Sequence, residues 1–433
     1  MTLWPRLAAW LLCGLALGLA GCGDTSAGPI ALPTANVAPA QGWPTGKMPV
    51  AAAGLAVQVF ATGLQHPRWL LVLPNGDVLV AETGAPPQPE GSAGIKGWVA
   101  GLFMSRAAAA EPSANRITLL RDSHGTGVAD ERHVLLEGLH SPFGMAVVGD
   151  KLYVANTNAV LRYPFRTGDA RITARGTQVI ALPAGRINRH WAKNLIASAD
   201  GQRLYVTVGS NSNAAENGVE AEQGRAAIWE VLIANGTHRI YASGLRNANG
   251  LAWSPGATLW AVVNEGDETG GDPVPDYLTS VREGDFFGWP WNGHGQQVDS
   301  RVQPPEPSRV AQARQPDYVL GARTASLGLA ASAGNTLGDA YAQGMFVGQQ
   351  GAWNRRPLNG YEVVFVPFEG NLPSAAPPLA VLGGFLNPQG QAQGRPVGVA
   401  LDRSGALLVA DDVGNTVWRV SAAPWTLALH ARP

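Results

Sequence analysis

Cysteine is nearly absent. The chain of 433 residues has two, Cys13 and Cys22, both near its start, so the remainder can hold neither a disulfide framework nor a cysteine-ligated metal. Charge is also scarce, at 15% of residues against about 25% in an average domain. The formal net charge of -1 leaves no electrostatic footprint for nucleic acid. No run of about 20 apolar residues lies beyond the N-terminus, so no spanning helix is expected in the body of the chain.

What the chain has in quantity is glycine and tryptophan, 54 and 14 residues, which suits an all-β protein with many tight turns. One phrase recurs: an apolar run, a turn, a Leu-Tyr-Val-like strand, then a polar loop. It reads from His66 to Glu82 and from Pro142 to Asn156. Further copies run from His190 to Asn211, Asn249 to Asn264, Leu327 to Gln350, and Pro396 to Asp411. Each unit carries two or three short β runs bounded by Gly, Asn, Asp or Pro. Six such units predict a six-bladed β-propeller, because radial repetition leaves only short, protected edges.

The N-terminus reads differently. A positive start at Arg6, an apolar stretch from Leu7 to Ala20 and the tetrapeptide Leu19-Ala20-Gly21-Cys22 predict a signal peptide over 1–21. The tetrapeptide resembles the bacterial lipobox, so Cys22 is expected to be lipidated. The Ala-, Pro- and Gly-rich residues that follow predict a flexible tether over 22–50, and the propeller is expected over 51–425. Residues 95–106 break the repeat and predict a short apolar helix.

In a propeller the innermost strands aim their leading ends at a central channel, where polar side chains of several blades make one site. The third unit places His190 just before Leu195-Ile196-Ala197; a histidine there can serve as a general base or be a hydrogen-bonded structural residue. The fourth unit opens with Leu245-Arg246-Asn247 and ends in Asn264-Glu265-Gly266-Asp267-Glu268. That acidic, glycine-rich loop can hold Ca²⁺ through carboxylates and carbonyls or be a solvated loop. The fifth unit ends in Trp353-Asn354-Arg355-Arg356, and the sixth begins with Arg395. Three arginine positions facing one channel would repel unless an anion sat among them. The residues therefore predict a pocket for a small polyanion with one base beside it.

The stretches from Gly244 to Ala252, Asn264 to Asp267, Pro275 to Leu278, Gly288 to Pro290 and Trp353 to Arg356 resemble the glucose/sorbosone dehydrogenase family, its sorbosone dehydrogenase-like branch in particular. The resemblance spans about Leu55 to Val420. It implies a propeller that holds pyrroloquinoline quinone (PQQ) over the channel with Ca²⁺ beneath it. His190 would take the proton of a sugar C1 hydroxyl while hydride passes to the quinone. It further implies cofactor contacts from Arg246, Asn247, Arg395, Asn354 and Arg355, with Asn211 and His140 as polar contacts. Ca²⁺ would sit on the main-chain carbonyls of Asp267 and Glu268. Arg189 departs from the family, whose glucose-oxidising members carry an acid before the histidine. Expected partners are a small sugar, an external electron acceptor and, through the lipid, the periplasmic face of a bacterial membrane. Gly23 after the cysteine favours the outer membrane. Two other readings follow from the repeats: a Ca²⁺-dependent lactonase or esterase using Glu82, Asn264 and Asp411, and a non-catalytic glycan- or protein-binding propeller.

Overall fold

The structure, a computed structural model, describes residues 37–87, 112–265, 274–292, 298–299, 301–352 and 357–424. The expected signal peptide, Cys22, the 95–106 segment, Asp267, Glu268, Asn354 and Arg355 lie outside them.

The six units are six antiparallel sheets arranged in a ring. Their innermost strands are Pro67–Val72, Met145–Val148, Leu195–Ala197, Ala248–Trp253, Ser326–Ala331 and Pro396–Leu401. The second strands are the most buried: Val78–Glu82, Leu259–Val263 and Leu407–Asp411 are buried at every position, and the other three at every position but the first. A blade packed on both faces needs apolar side chains on both, so these strands read as unbroken apolar runs rather than alternating ones.

The fourth strands are different. Thr177–Ala181 and His238–Ser243 are mostly exposed. Each unit therefore carries a strand beyond the two or three expected, concealed because rim strands are too polar to read as core. The ring closes through a pairing that sequence order hides: Leu55–Ala61 lies antiparallel to Thr416–Ala422 as the outer strand of the sixth blade. Part of the expected tether also joins the domain. Ala38 is buried, Ala40 bridges Ala392, and Trp43 Nε1 donates to Asp411 Oδ2 at 2.7 Å.

Glycine sets how closely the blades approach at the hub. A Cβ on Gly328 would stand 2.0 Å from the Val397 carbonyl oxygen, and one on Gly398 2.6 Å from that of Arg68. Trp69, Phe143, Trp191, Leu327 and Val397 join in one apolar cluster there. Register shifts interrupt the innermost ladders at Pro67/Trp69, Ala248/Leu251, Ser326/Gly328 and Pro396/Val399. Bulges of this kind re-aim side chains where a ladder ends. Here they fall at the end of the channel where the polar loops gather.

Candidate active site

His190 and Arg246 occupy corresponding places, ahead of the innermost strands of blades three and four. Gly209, at the end of the neighbouring strand, lets His190 and Asn247, the residue after Arg246, close in on the same spot because it has no side chain. A Cβ there would lie 2.5 Å from His190 Cβ and 2.9 Å from Asn247 Oδ1. His190 is half-buried. Its Nδ1 lies 2.7 Å from Ser210 Oγ, and that hydroxyl donates its own proton to the Ser212 carbonyl at 2.7 Å. Ser210 can then only accept from the ring, so Nδ1 carries the imidazole proton and Nε2 keeps its lone pair. Burial lowers the His190 pKa well below the usual histidine value, and the positive charges of Arg246, Arg189 and Lys193 add to that. The site therefore holds a neutral imidazole in a fixed tautomer, as a general base requires.

Arg246 is fully buried. Its Nε donates to Asn213 O at 2.9 Å, Nη2 to Asn213 Oδ1 at 3.0 Å, and Nη1 to the carbonyls of Glu265 and Asn264 at 2.8 and 3.4 Å. Among the described residues no carboxylate forms an ion pair with it. Burial pushes the Glu265 carboxyl up to about 8, so that group is mostly uncharged at neutral pH. Lys193 is also sealed from solvent, its Nζ donating to the His190 carbonyl at 2.9 Å. Burial lowers its pKa well below the usual lysine value, with Arg225 adding to the shift. The buried Arg246 guanidinium near His190 thus has little beside it to neutralise its charge.

Other residues singled out in the sequence divide between this site and other places. Asn211 holds the wall of the site: its amide donates to Ile187 O at 2.6 Å, and its oxygen accepts from Asn217 Nδ2 at 2.8 Å. Arg395, expected among the cofactor contacts, is buried. Its Nη2 donates to Ala38 O at 3.0 Å and its guanidinium lies 5.6 Å from the Tyr361 ring centre, in the seam between blades five and six. His140 is exposed and lines a cleft between the outer strands of blades one and two. Its place ahead of the innermost strand of its blade matches that of His190.

The carboxylates that a hydrolytic metal site needs are committed. Glu82 accepts a two-pronged contact from Arg116 at 2.8 and 2.7 Å. Asp411 accepts from Trp43, Trp418 and two backbone amides. Among the described residues no three His, Cys, Asp or Glu come together as a metal site. The sequence reading missed Lys193, Ser210 and Arg68. For Ser210 the signal was present, a hydroxyl at the end of the strand facing the histidine.

These features define the class as a six-bladed β-propeller with polar, cationic residues gathered ahead of its innermost strands. The chain superposes on the carbohydrate-active enzyme of family AA12 from Trichoderma reesei with a TM-score of 0.68 and 18% identity, covering 87% of this chain and 98% of that one. It superposes on the holo form of the pyranose dehydrogenase PQQ domain from Coprinopsis cinerea with a TM-score of 0.65 and 19% identity, covering 86% and 97%. For the PQQ-bound aldose sugar dehydrogenase of Streptomyces coelicolor the values are 0.55 and 17%, over 86% and 99%. A family model described as TrAA12-like matches residues 111–274. An uncharacterised protein of Borreliella burgdorferi is 24% identical over 302 residues, 66% of this chain and 77% of its own. What the solved structures share with this chain at such identities is the fold.

Proposed function

We propose that this protein is a PQQ- and Ca²⁺-dependent dehydrogenase that oxidises an aldose or aldosulose at C1. One observation carries the reading: a neutral, oriented imidazole stands beside a buried guanidinium that has no carboxylate partner among the described residues. Such a guanidinium calls for an anion, and the small anions named for two of the similar structures are PQQ. The residues therefore fit a carboxylate-bearing cofactor. Arg246 and Asn247 would hold it, joined by Asn354 and Arg355, with the ion on the Asp267 and Glu268 carbonyls.

When bound, the quinone supplies the two-electron acceptor for hydride from the sugar carbon. The chain's own part is the proton. His190 Nε2 accepts it from the C1 hydroxyl, Ser210 fixes the ring tautomer, and the nearby cations keep the imidazole unprotonated until the substrate proton arrives. The same reading includes attachment to the cell envelope through Cys22 and an external acceptor that reoxidises the cofactor.

Reconstitution with PQQ and Ca²⁺ should give dye-linked oxidation on a panel of aldoses and aldosuloses. His190→Ala should lower kcat/KM by about 10²–10⁴-fold while cofactor still binds. A folded, loaded protein that oxidises no sugar of the panel sinks the proposal.

A further inference from the structure

A second polar cluster shares the channel mouth with His190 and takes no part in the chemistry above. Its centre is Arg68, which sits in the register shift between Pro67 and Trp69 on the innermost strand of blade one. A bulged residue has no ladder partner, so its side chain is free to turn toward the hub. Arg68 Nη2 pairs with Asp412 Oδ2 of blade six at 2.8 Å. The guanidinium lies 5.7 Å from the ring centre of Trp191, the residue after His190. Gln350 of blade five donates to the same Asp412 oxygen at 2.6 Å. Residues of four blades thus meet beside Trp191, the residue that follows the base in the chain.

Two atoms of the cluster are unsatisfied. Arg68 Nε, a donor, and Asp412 Oδ1, an acceptor, have no hydrogen-bond partner although both are buried. Asp412 is almost wholly enclosed, whereas the Arg68 side chain keeps 16% of its exposure. Unmet polar groups of this kind are costly, and they describe what would satisfy them. An anion suits Arg68 but is repelled by Asp412. A cation has the opposite fault. A neutral pair of neighbouring hydroxyls suits both, because each hydroxyl both donates and accepts, and the Trp191 ring offers a flat apolar face beside them.

We propose that Arg68 and Asp412, braced by Gln350 and faced by Trp191, form a subsite for a vicinal diol of the sugar, away from the carbon that is oxidised. The proposal rests on the sugar-oxidising reading and names a specificity determinant for it. Arg68 and Asp412 bind the ring hydroxyls, and His190 acts at the other end of the same molecule.

The test uses holoprotein with PQQ and Ca²⁺ and three unreactive probes, 1,5-anhydroglucitol, 1,5-anhydromannitol and 1,5-anhydrogalactitol. These lack the C1 hydroxyl, so binding is read by calorimetry apart from turnover. Wild type should bind at least one of them. Arg68→Lys and Asp412→Asn should each weaken that binding about 10–100-fold, the effect of losing a hydrogen bond to a charged group. Both variants should also stop distinguishing the best sugar from its monodeoxy analogue, with PQQ affinity kept. Gln350→Ala gives a second, smaller change should either charge variant fail to fold. The subsite is overturned if wild type binds no probe. It is equally overturned if folded variants bind the probes as wild type does, or if they lose PQQ affinity instead. If probes bind and the variants weaken them while no sugar is oxidised, the subsite stands and the dehydrogenase reading falls.

Discussion

His190 is tuned by groups of two blades, Ser210 and Lys193 of its own and Arg246 of the next. Ser210 accepts a hydrogen bond from Nδ1–H and donates its own to the Ser212 carbonyl, while burial and then the charges of Arg246, Arg189 and Lys193 oppose protonation of the ring. Removing the Ser210 hydroxyl frees the ring to rotate and to change tautomer. Ser210→Ala should lower kcat/KM by about 5–30-fold, the value of one hydrogen bond of roughly 1–2 kcal/mol. The acid limb of the wild-type rate profile should lie below the ordinary histidine value of about 6.5, because burial and neighbouring cations both oppose protonation. A profile measured from pH 4 to 8 checks this, and an acid limb at or above 6.5 contradicts the site as drawn. Ser210→Thr, which keeps the hydroxyl, should recover most of the rate.

At the scale of the element, the innermost strands are held by what their glycines leave out. The Val397 carbonyl sits against both Gly328 and Gly348, where an added Cβ would come within 2.0 and 2.2 Å of it. That neighbour is backbone of the next blade and cannot step aside as a flexible side chain would. Gly328→Ala should therefore cost about 1–3 kcal/mol, read as a lower midpoint in urea with an unchanged slope. An unchanged midpoint would mean that the blades are not packed as described. This scale also shows how legibility varied. The second strands stood out because both of their faces are buried. The fourth strands did not, since Thr177–Ala181 and His238–Ser243 look like solvated loops. The pairing of Leu55–Ala61 with Thr416–Ala422 joins the two ends of the chain, and no local pattern announces a partner so distant.

At the scale of the whole molecule, ring closure and pH stability meet at Asp411. This carboxyl sits in blade six beneath Trp43 of the N-terminal segment, and burial pushes its pKa up to about 6 from 3.8. Between those two values the folded state holds a proton that the unfolded chain has released. Folding is therefore favoured by this group as pH falls from about 6 toward 4, and the cost of the buried charge is felt above 6. His190 acts in the opposite sense, since below about 6.5 the unfolded chain gains a proton that the folded site resists. Thermal midpoints of wild type and Asp411→Asn between pH 4 and 7 separate the two. The variant lacks the Asp411 component, so its midpoint should fall more steeply on acidification than that of wild type. Parallel curves would show that Asp411 does not titrate in this range.

The sequence by itself determined the repeat, the number of blades and the approximate place of His190 and Arg246. Each of these follows from short-range pattern, apolar runs fixed by burial and polar residues at the ends of strands. Tertiary structure alone decided which polar residues share the mouth. His140 and His190 hold matching places in their repeats, yet only His190 comes up against Arg246. Arg395 turns to Ala38 and Tyr361, whereas Arg68, which no motif marked, turns toward Trp191 and Asp412. The direction of a side chain at a channel mouth is set by the bulge beneath it and by the neighbouring blade. Both depend on residues hundreds of positions away, so the local sequence carries no record of them.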